Sequence, residues 1–429
     1  QADCRVLVEM MSKATKAPPK MWGTGIVGFG SYHYKYESGH EGDSCILGFA
    51  SRKGDISLYL VAGFPGPDAR WEHREPESVG LDGAALAGAS EYAIVNESSV
   101  DRDLQGALDA LTEGEGEYAT IVGPVKPRGG PAGLILRHGY IVAEWGDTSR
   151  VDMTFSASKS YLATLAGLAL DHGLIRDLDD PVREYVDDGG FDGPHNGKII
   201  WRHLLQQTSE WSGTLWGKPD QVDHNRGVGA DRANFAAKGT RRELREPGTY
   251  WEYNDVRVNR LALALLRVWR RALPALFDEL VMDPIDASRT WQWHGYANSY
   301  AEIDGRLIQS VSGGGHWGGG VWVSARDHAR FGYLHLRRGW WGERQVLSER
   351  WIDEATAPSP VNQGYGCLWW LNRGAARYPS APASSYFALG WGSNVIWVDP
   401  DHDLVAVLRW IESSAVDGFM ARVLAAVRR

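Results

Sequence analysis

The 429-residue chain is poor in cysteine, in long apolar runs and in basic clusters. Its three cysteines, Cys4, Cys45 and Cys367, are far apart and odd in number, which excludes a disulfide framework or a zinc pattern and fits a reducing compartment. No stretch approaches the length of a membrane span, and no signal peptide is visible. A cytoplasmic location is therefore expected, although the chain opens with Gln1 and not methionine. Acidic residues outnumber basic ones by 54 to 45, giving a net charge of −9 without a run of lysine or arginine, so nucleic acid is not the expected partner. Internal repeats and low-complexity segments are also missing. What remains is a composition, 43% hydrophobic and 23% charged, able to bury a large core.

Two parts differ in texture. Residues 1–64 are rich in glycine and aromatics, with strands expected at Cys45 to Phe49 and Ser57 to Val61. Residues 65–80, which include the proline-rich, charged Pro65 to Glu77, read as a linker. From residue 81 to 429 the chain reads as one large domain. Ala132 to Trp145 predicts a hairpin turning at His138-Gly139, and Asn394 to Val398 and Leu404 to Trp410 predict two strands around Asp399 to Asp403. A terminal helix is expected over Val416 to Arg429. Strands early and late with helices between imply an α/β (α+β) sheet built from both ends of the domain and a mainly helical insert.

The most informative segment is Ser156-Ala157-Ser158-Lys159. It opens the nearly all-apolar run Ser160 to Gly173, a helix that must be buried on all faces. Serine and lysine three residues apart share one helix face, so an amine can take the proton of a hydroxyl, which makes the two a candidate nucleophile and base. A second segment, Glu246 to Val256, delivers Tyr253, Asn254 and Asp255 after a Pro-Gly turn, just before an apolar helix over Val258 to Leu266. A tyrosine near an ammonium can act as a base, whereas Asn254 or Asp255 serves equally well as a helix cap. Twenty tryptophans are present; Trp201, Trp211, Trp216, Trp251, Trp291, Trp293, Trp317 and Trp391 fall near these segments, either as packing or as walls of an aromatic cleft.

Together these segments resemble the serine β-lactamase and penicillin-binding-protein superfamily, and within it the class C β-lactamase-like branch with its esterases, D-aminopeptidases and 6-aminohexanoate oligomer hydrolases. The resemblance rests on Phe155 to Ser160, Leu178-Asp179-Asp180-Pro181-Val182, Trp201 to Ser209, Pro247-Gly248-Thr249 with Tyr253-Asn254-Asp255, Gly318-Gly319-Gly320 through Asp327 to Gly332, and Val398-Asp399-Pro400. It implies an antiparallel sheet flanked by helices plus a helical subdomain. It also implies a serine hydrolase without cofactor or metal that passes through an acyl-enzyme on a small ester, amide or lactam. Ser156, Lys159 and Tyr253 would be catalytic, with the N–H groups of Ser156 and Trp391 as oxyanion hole. Asp255, Gly390, His316 and Trp317 would contact substrate.

Two departures stand out. The family's Tyr-x-Asn is here Tyr253-Asn254-Asp255, and the third motif, usually Lys-Thr-Gly or His-x-Gly, aligns with Ala388-Leu389-Gly390 and has lost its cationic or imidazole group. Esterase or small-amide hydrolase is therefore favoured over true β-lactamase, with a non-catalytic penicillin- or peptide-sensing module as the rival. His316, in the glycine-rich loop Ser312 to Gly320, is expected as a solvent-facing residue of a tight loop, or else as a stand-in for the lost group. That loop lacks the Lys-Ser/Thr of a phosphate-binding loop. Residues 1–64 resemble part of an uncharacterised small bacterial domain of the YdhG-like group, through Lys20 to Gly23, Ile26 to Gly30, Tyr32 to Tyr36 and Gly48 to Gly54.

Overall fold

The structure is a computed structural model that describes residues 2–15, 17–22, 26–29, 32–35, 41–45, 47–52, 55–60, 71–228 and 238–428. The chain divides into two compact units, residues 1–63 and 64–429. The first has a helix, Ala2–Thr15, and an antiparallel sheet of Pro19–Trp22, Ile26–Phe29, Leu47–Arg52 and Asp55–Leu60 in that order. Met11, Phe29 and Phe49 form its small core.

The second unit is built on a six-stranded antiparallel sheet. Its strands are β1 (Ala132–Arg137), β2 (Tyr140–Trp145), β3 (Trp370–Leu371), β4 (Tyr386–Gly390), β5 (Asn394–Asp399) and β6 (Leu404–Arg409), in spatial order β3-β4-β5-β6-β1-β2. Both expected hairpins form, and His138 and Gly139 take the positive φ values (53° and 84°) that such a two-residue turn requires. The two chain ends meet where β6 pairs with β1. Both strands are buried almost throughout, because helices cover both faces of the sheet.

On one face lie α1 (Gly83–Val95) and α5 (Val416–Ala425), with Phe419 of α5 5.6 Å from Trp145 of β2. On the other lie α2 (Ser158–Asp171) and α4 (Ala325–Leu336), while α3 (Asp255–Trp269) packs on α2 and on the strand Arg306–Val311. Helix α4 packs close to the strands because it presents Gly332: a Cβ there would stand 2.6 Å from Ile396 and 2.9 Å from Val405. Every residue of α2 from Ser158 to Leu170 is buried, as its all-round apolar sequence requires.

The segment between the two chain ends carries helices and also a second antiparallel sheet, in the order Arg306–Val311, Gln292–Ile303, Gly320–Val323 and Asp152–Met153. The linker expected over 65–80 is not one from residue 71 onward. Trp71 is 3% exposed, its Nε1 donates to Gly139 O at 2.7 Å, and Tyr333 and Trp341 pack on its ring. Proline and charge in Glu72 to Glu77 suit a surface segment, but one buried indole anchors it. Residues 65–70 lie outside the described residues. Among the described residues no helix is long and apolar enough to cross a membrane.

Candidate active site

Ser156 sits in a single 3-10 turn, Phe155–Ala157, that feeds directly into α2. The turn is strained. Phe155 has φ 48°, a left-handed conformation uncommon for a residue with a bulky side chain. Its ring is gripped edge-on by Trp391 at 5.1 Å and Trp410 at 6.3 Å, which hold the turn in place. The turn's far side is fixed by Thr154, whose N–H donates to Val321 O at 3.0 Å, and by Ser158 Oγ, which accepts from Val321 N at 2.9 Å.

One turn along α2, Lys159 Nζ donates to Ser156 Oγ at 2.9 Å. The same ammonium donates to Asp255 Oδ1, and it lies 4.5 Å from the centroid of the Tyr253 ring. Asn254 is the cap of α3, accepting from Arg257 N at 3.1 Å, and this leaves Asp255 as the first helical residue, aimed at Lys159. The three residues expected at the chemical centre are thus brought together. Among the described residues, however, the Tyr253 hydroxyl makes no hydrogen bond to Ser156; its ring stacks on Trp370 at 5.7 Å and meets Tyr365 and Trp251 edge-on or tilted.

Gly390, at the end of β4, passes directly over the serine turn. A Cβ there would collide with the carbonyl oxygen of Thr154 and stand 3.2 Å from Ala157 N, so only glycine lets the strand approach, and Trp391 follows it. The backbone of Trp391 is held by Asn394, whose Nδ2 donates to Trp391 O at 2.7 Å.

Three of the residues expected to contact substrate are engaged with buried partners from the protein itself. Asp255 is buried with both carboxylate oxygens engaged, Oδ1 by Lys159 and Oδ2 by Arg226. His316 is not solvent-facing. It is 5% exposed, with Nε2 2.5 Å from Glu115 Oε1 and Nδ1 3.9 Å from Asp255 Oδ2. Trp317 is fully buried and its Nε1 donates to Glu115 Oε2 at 2.7 Å. The glycine-rich loop carrying them folds inward because Gly314 lies against the Lys159–Asp255 pair, where no side chain would fit. Of the tryptophans, Trp201, Trp211 and Trp293 are buried packing, whereas Trp251 borders Tyr253 and the half-buried Trp391 borders the serine turn.

Sequence reasoning missed most of the charge network. Arg226 bridges Asp255 and Asp223, Lys238 bridges Asp223 and Glu115, and Asp223 Oδ2 accepts from Asp255 N at 2.8 Å. Three cations (Lys159, Arg226, Lys238) thus face three carboxylates (Asp255, Asp223, Glu115) in a nearly dry interior. Burial raises the Asp255 carboxyl, but Lys159 and Arg226 outweigh it and hold that group far below the usual carboxylate range. Burial likewise disfavours the Lys159 ammonium, and the Asp255 carboxylate more than offsets it, so its pKa lies above the ordinary lysine value. Burial and the Arg226 charge push the His316 pKa below its ordinary value, against the opposing pull of the Glu115 carboxylate. The one signal available in the sequence was the aspartate standing where the family has asparagine: a buried acid demands a buried cation beyond the lysine. Among the described residues no cluster of three or more histidine, cysteine or acidic side chains could hold a metal ion.

Comparison with known proteins bears on the family and the fold. A curated relative, the 6-aminohexanoate-dimer hydrolase of Paenarthrobacter ureafaciens, is 25% identical over 304 residues, 64% of this chain and 70% of its own. An uncharacterised protein of Alkalihalophilus pseudofirmus is 23% identical over 334 residues, 70% of this chain and 88% of its own. Among solved structures, a D-stereospecific amidohydrolase from Streptomyces superposes with a TM-score of 0.50 at 18% identity, covering 81% of this chain and 98% of that one. A penicillin-binding-protein homologue from Caulobacter crescentus does so with a TM-score of 0.50 at 15% identity, covering 77% and 99%. These structural likenesses show a shared fold. The Beta-lactamase family model matches residues 130–412, more than half of the chain and the whole span from β1 to beyond β6, and the chain belongs to that family of serine hydrolases.

Proposed function

We propose that this protein hydrolyses a small ester or amide through an acyl-enzyme on Ser156. The observation that carries the reading is the 2.9 Å hydrogen bond from Lys159 to Ser156 Oγ, at the start of a buried helix and beneath the glycine strand Gly390-Trp391. Attack of Oγ on the carbonyl carbon places the developing oxyanion between the N–H groups of Ser156 and Trp391.

The aspartate changes the division of labour. Lys159, clamped by Asp255, is an ammonium that donates to Ser156 Oγ and cannot also accept its proton. Tyr253 is then the group that takes the serine proton and returns it to the leaving group. In this role Tyr253 works as a phenolate: Lys159 and Arg226, 4.5 Å and 5.3 Å from its ring centroid, stabilise that anion, which is neutralised when it takes the serine proton and restored when it gives the proton to the leaving group. Water deacylates the enzyme by the same route in reverse. Ala388 is buried and brings no charge to the third motif, and this favours ester or small-amide substrates over lactams. The hydrolase and amidohydrolase activities named for the relatives fit the same assignment.

Intact-protein mass spectrometry after incubation with a fluorophosphonate tests it. One adduct is expected, absent from Ser156→Ala. A folded protein that gains no adduct would reverse the conclusion in favour of a non-catalytic binding module on the same scaffold.

A further inference from the structure

Arg409, the last residue of β6, is a buried cation that the proposed chemistry leaves unused. It is 2% exposed and makes no ion pair with any described residue, whereas Arg226, Arg242, Arg257 and Arg260 each sit on a carboxylate. Burial pushes its pKa down to about 10, so it stays charged at neutral pH. An apolar side chain would fill such a place without the cost of desolvating a charge, so stability alone does not account for an arginine here. All three guanidinium nitrogens donate. Nε donates to Asn394 Oδ1 at 2.8 Å, Nη2 to Met153 O at 2.9 Å and Nη1 to Val323 O.

These acceptors belong to the two halves of the assigned oxyanion hole. Met153 stands three residues before Ser156, and its strand pairs with that of Val323. Asn394 opens β5, and its Nδ2 donates to Trp391 O at 2.7 Å. One guanidinium therefore joins the backbone that leads into the serine turn to the backbone of Trp391, through a single side-chain amide. Trp410 repeats the link by packing. Its ring meets Phe155 edge-on at 6.3 Å, its Nε1 donates to Asp152 Oδ2 at 2.8 Å, and a Cβ on Gly392 would stand 2.4 Å from it. Trp410, Phe155 and Ser393 all have left-handed backbones, with φ of 61°, 48° and 53°. Such conformations persist where the surroundings over-determine them, and they cluster at functional sites.

We propose that Arg409 is a positioning residue for acylation: through Met153 O and Asn394 it sets the separation of the Ser156 and Trp391 N–H groups, and Trp410 holds that setting. This deepens the assignment of Ser156 as nucleophile and of those two groups as oxyanion hole, and rests on it. Arg409 acts through the backbone on either side and not on the substrate itself.

The test compares Asn394→Asp, Arg409→Lys and Arg409→Met with the native protein by urea unfolding, fluorophosphonate labelling rate and p-nitrophenyl acetate hydrolysis. Asn394→Asp separates positioning from stability. Its carboxylate keeps an acceptor for Arg409 and gives the guanidinium a counter-ion, but it cannot donate to Trp391 O. The unfolding midpoint is expected to stay or rise, while the labelling rate and kcat fall roughly tenfold to hundredfold with KM little changed, the scale of a misplaced oxyanion donor. Arg409→Lys should retain part of the rate and Arg409→Met the least. Native turnover in Asn394→Asp overturns the proposal, and so do losses that merely follow the unfolding midpoint across the three variants, which would make Arg409 a packing residue. Amide hydrogen exchange needs no turnover. Asn394→Asp should speed exchange in the segment 390–394, and Arg409→Met in both 390–394 and 152–157, with β1 and β6 still protected. In a protein that takes no fluorophosphonate, that pattern would uphold the linkage and refute the hydrolase; unaltered exchange in both segments refutes the linkage.

Discussion

Asp255→Asn restores the family's Tyr-x-Asn pattern and is expected to harm stability while changing the chemistry. The side chains of Lys159 and Asp255 are 2% and 1% exposed, so water cannot rehydrate an ammonium that loses its partner. Removing one member of such a pair costs about 3–5 kcal/mol. Arg226 keeps Asp223 at 3.2 Å, so the loss falls chiefly on Lys159. Loss of its proton is the relief open to Lys159, and it would leave a neutral amine 2.9 Å from Ser156 Oγ, a base the native protein does not have. The pH dependence follows from the two shifts. The depressed Asp255 carboxyl contributes stability above its unfolded pKa of about 4, lost as pH falls through the lower folded value. The raised Lys159 contributes stability below its unfolded pKa of about 10, lost as pH rises through the higher folded value. The deficit of Asp255→Asn should therefore be full from about pH 5 to 9 and shrink at both extremes. Urea unfolding followed by tryptophan fluorescence at several pH values measures the deficit. Fluorophosphonate labelling rates against pH measure the chemistry, with the profile expected to move to lower pH. An unchanged unfolding midpoint at pH 7 together with an unmoved labelling profile would refute the buried-clamp argument.

Three further outcomes are expected. Gly390→Ala drives a methyl into the Thr154 carbonyl and should nearly abolish Ser156 labelling, with a fall in unfolding midpoint equivalent to about 1–3 kcal/mol; normal labelling would mean that β4 does not cover the serine turn as described. Tyr253→Phe keeps the Trp370 stacking and removes only the hydroxyl, so ester turnover should drop about a hundredfold or more with the melting temperature little changed. Burial pushes the Cys367 thiol up to about 12, so iodoacetamide at pH 8 should leave it unmodified in the native protein and modify it in urea, as read by peptide mass spectrometry.

Much of the site was legible from local sequence because its parts are local. Ser156 and Lys159 are one helical turn apart, so the helix alone brings them within 2.9 Å. The hairpins at His138-Gly139 and Asp399 to Asp403 were readable because turn chemistry and alternating strands are encoded in adjacent residues. The all-apolar run after Ser160 required a buried helix, and α2 is buried throughout. The second sheet was not anticipated, since Asp152–Met153 and Gly320–Val323 are too short to read as strands and exist only by pairing with each other and with Gln292–Ile303.

The sequence by itself determined that this chain carries a serine and a lysine on one buried helix, a tyrosine at the entrance of another, and a glycine where a strand must pass close. Tertiary structure alone decided what surrounds them. Arg226, Lys238, Asp223 and Glu115 lie far from Lys159 in the chain and become its electrostatic environment only when the glycine-rich loop folds inward and buries them together. The same holds for His316, drawn inward to Glu115. The reason is physical: a hydroxyl's distance from an amine on one helix is fixed by backbone geometry, whereas a charge's partner, and so its protonation state, is fixed by whatever the fold packs against it once water is gone.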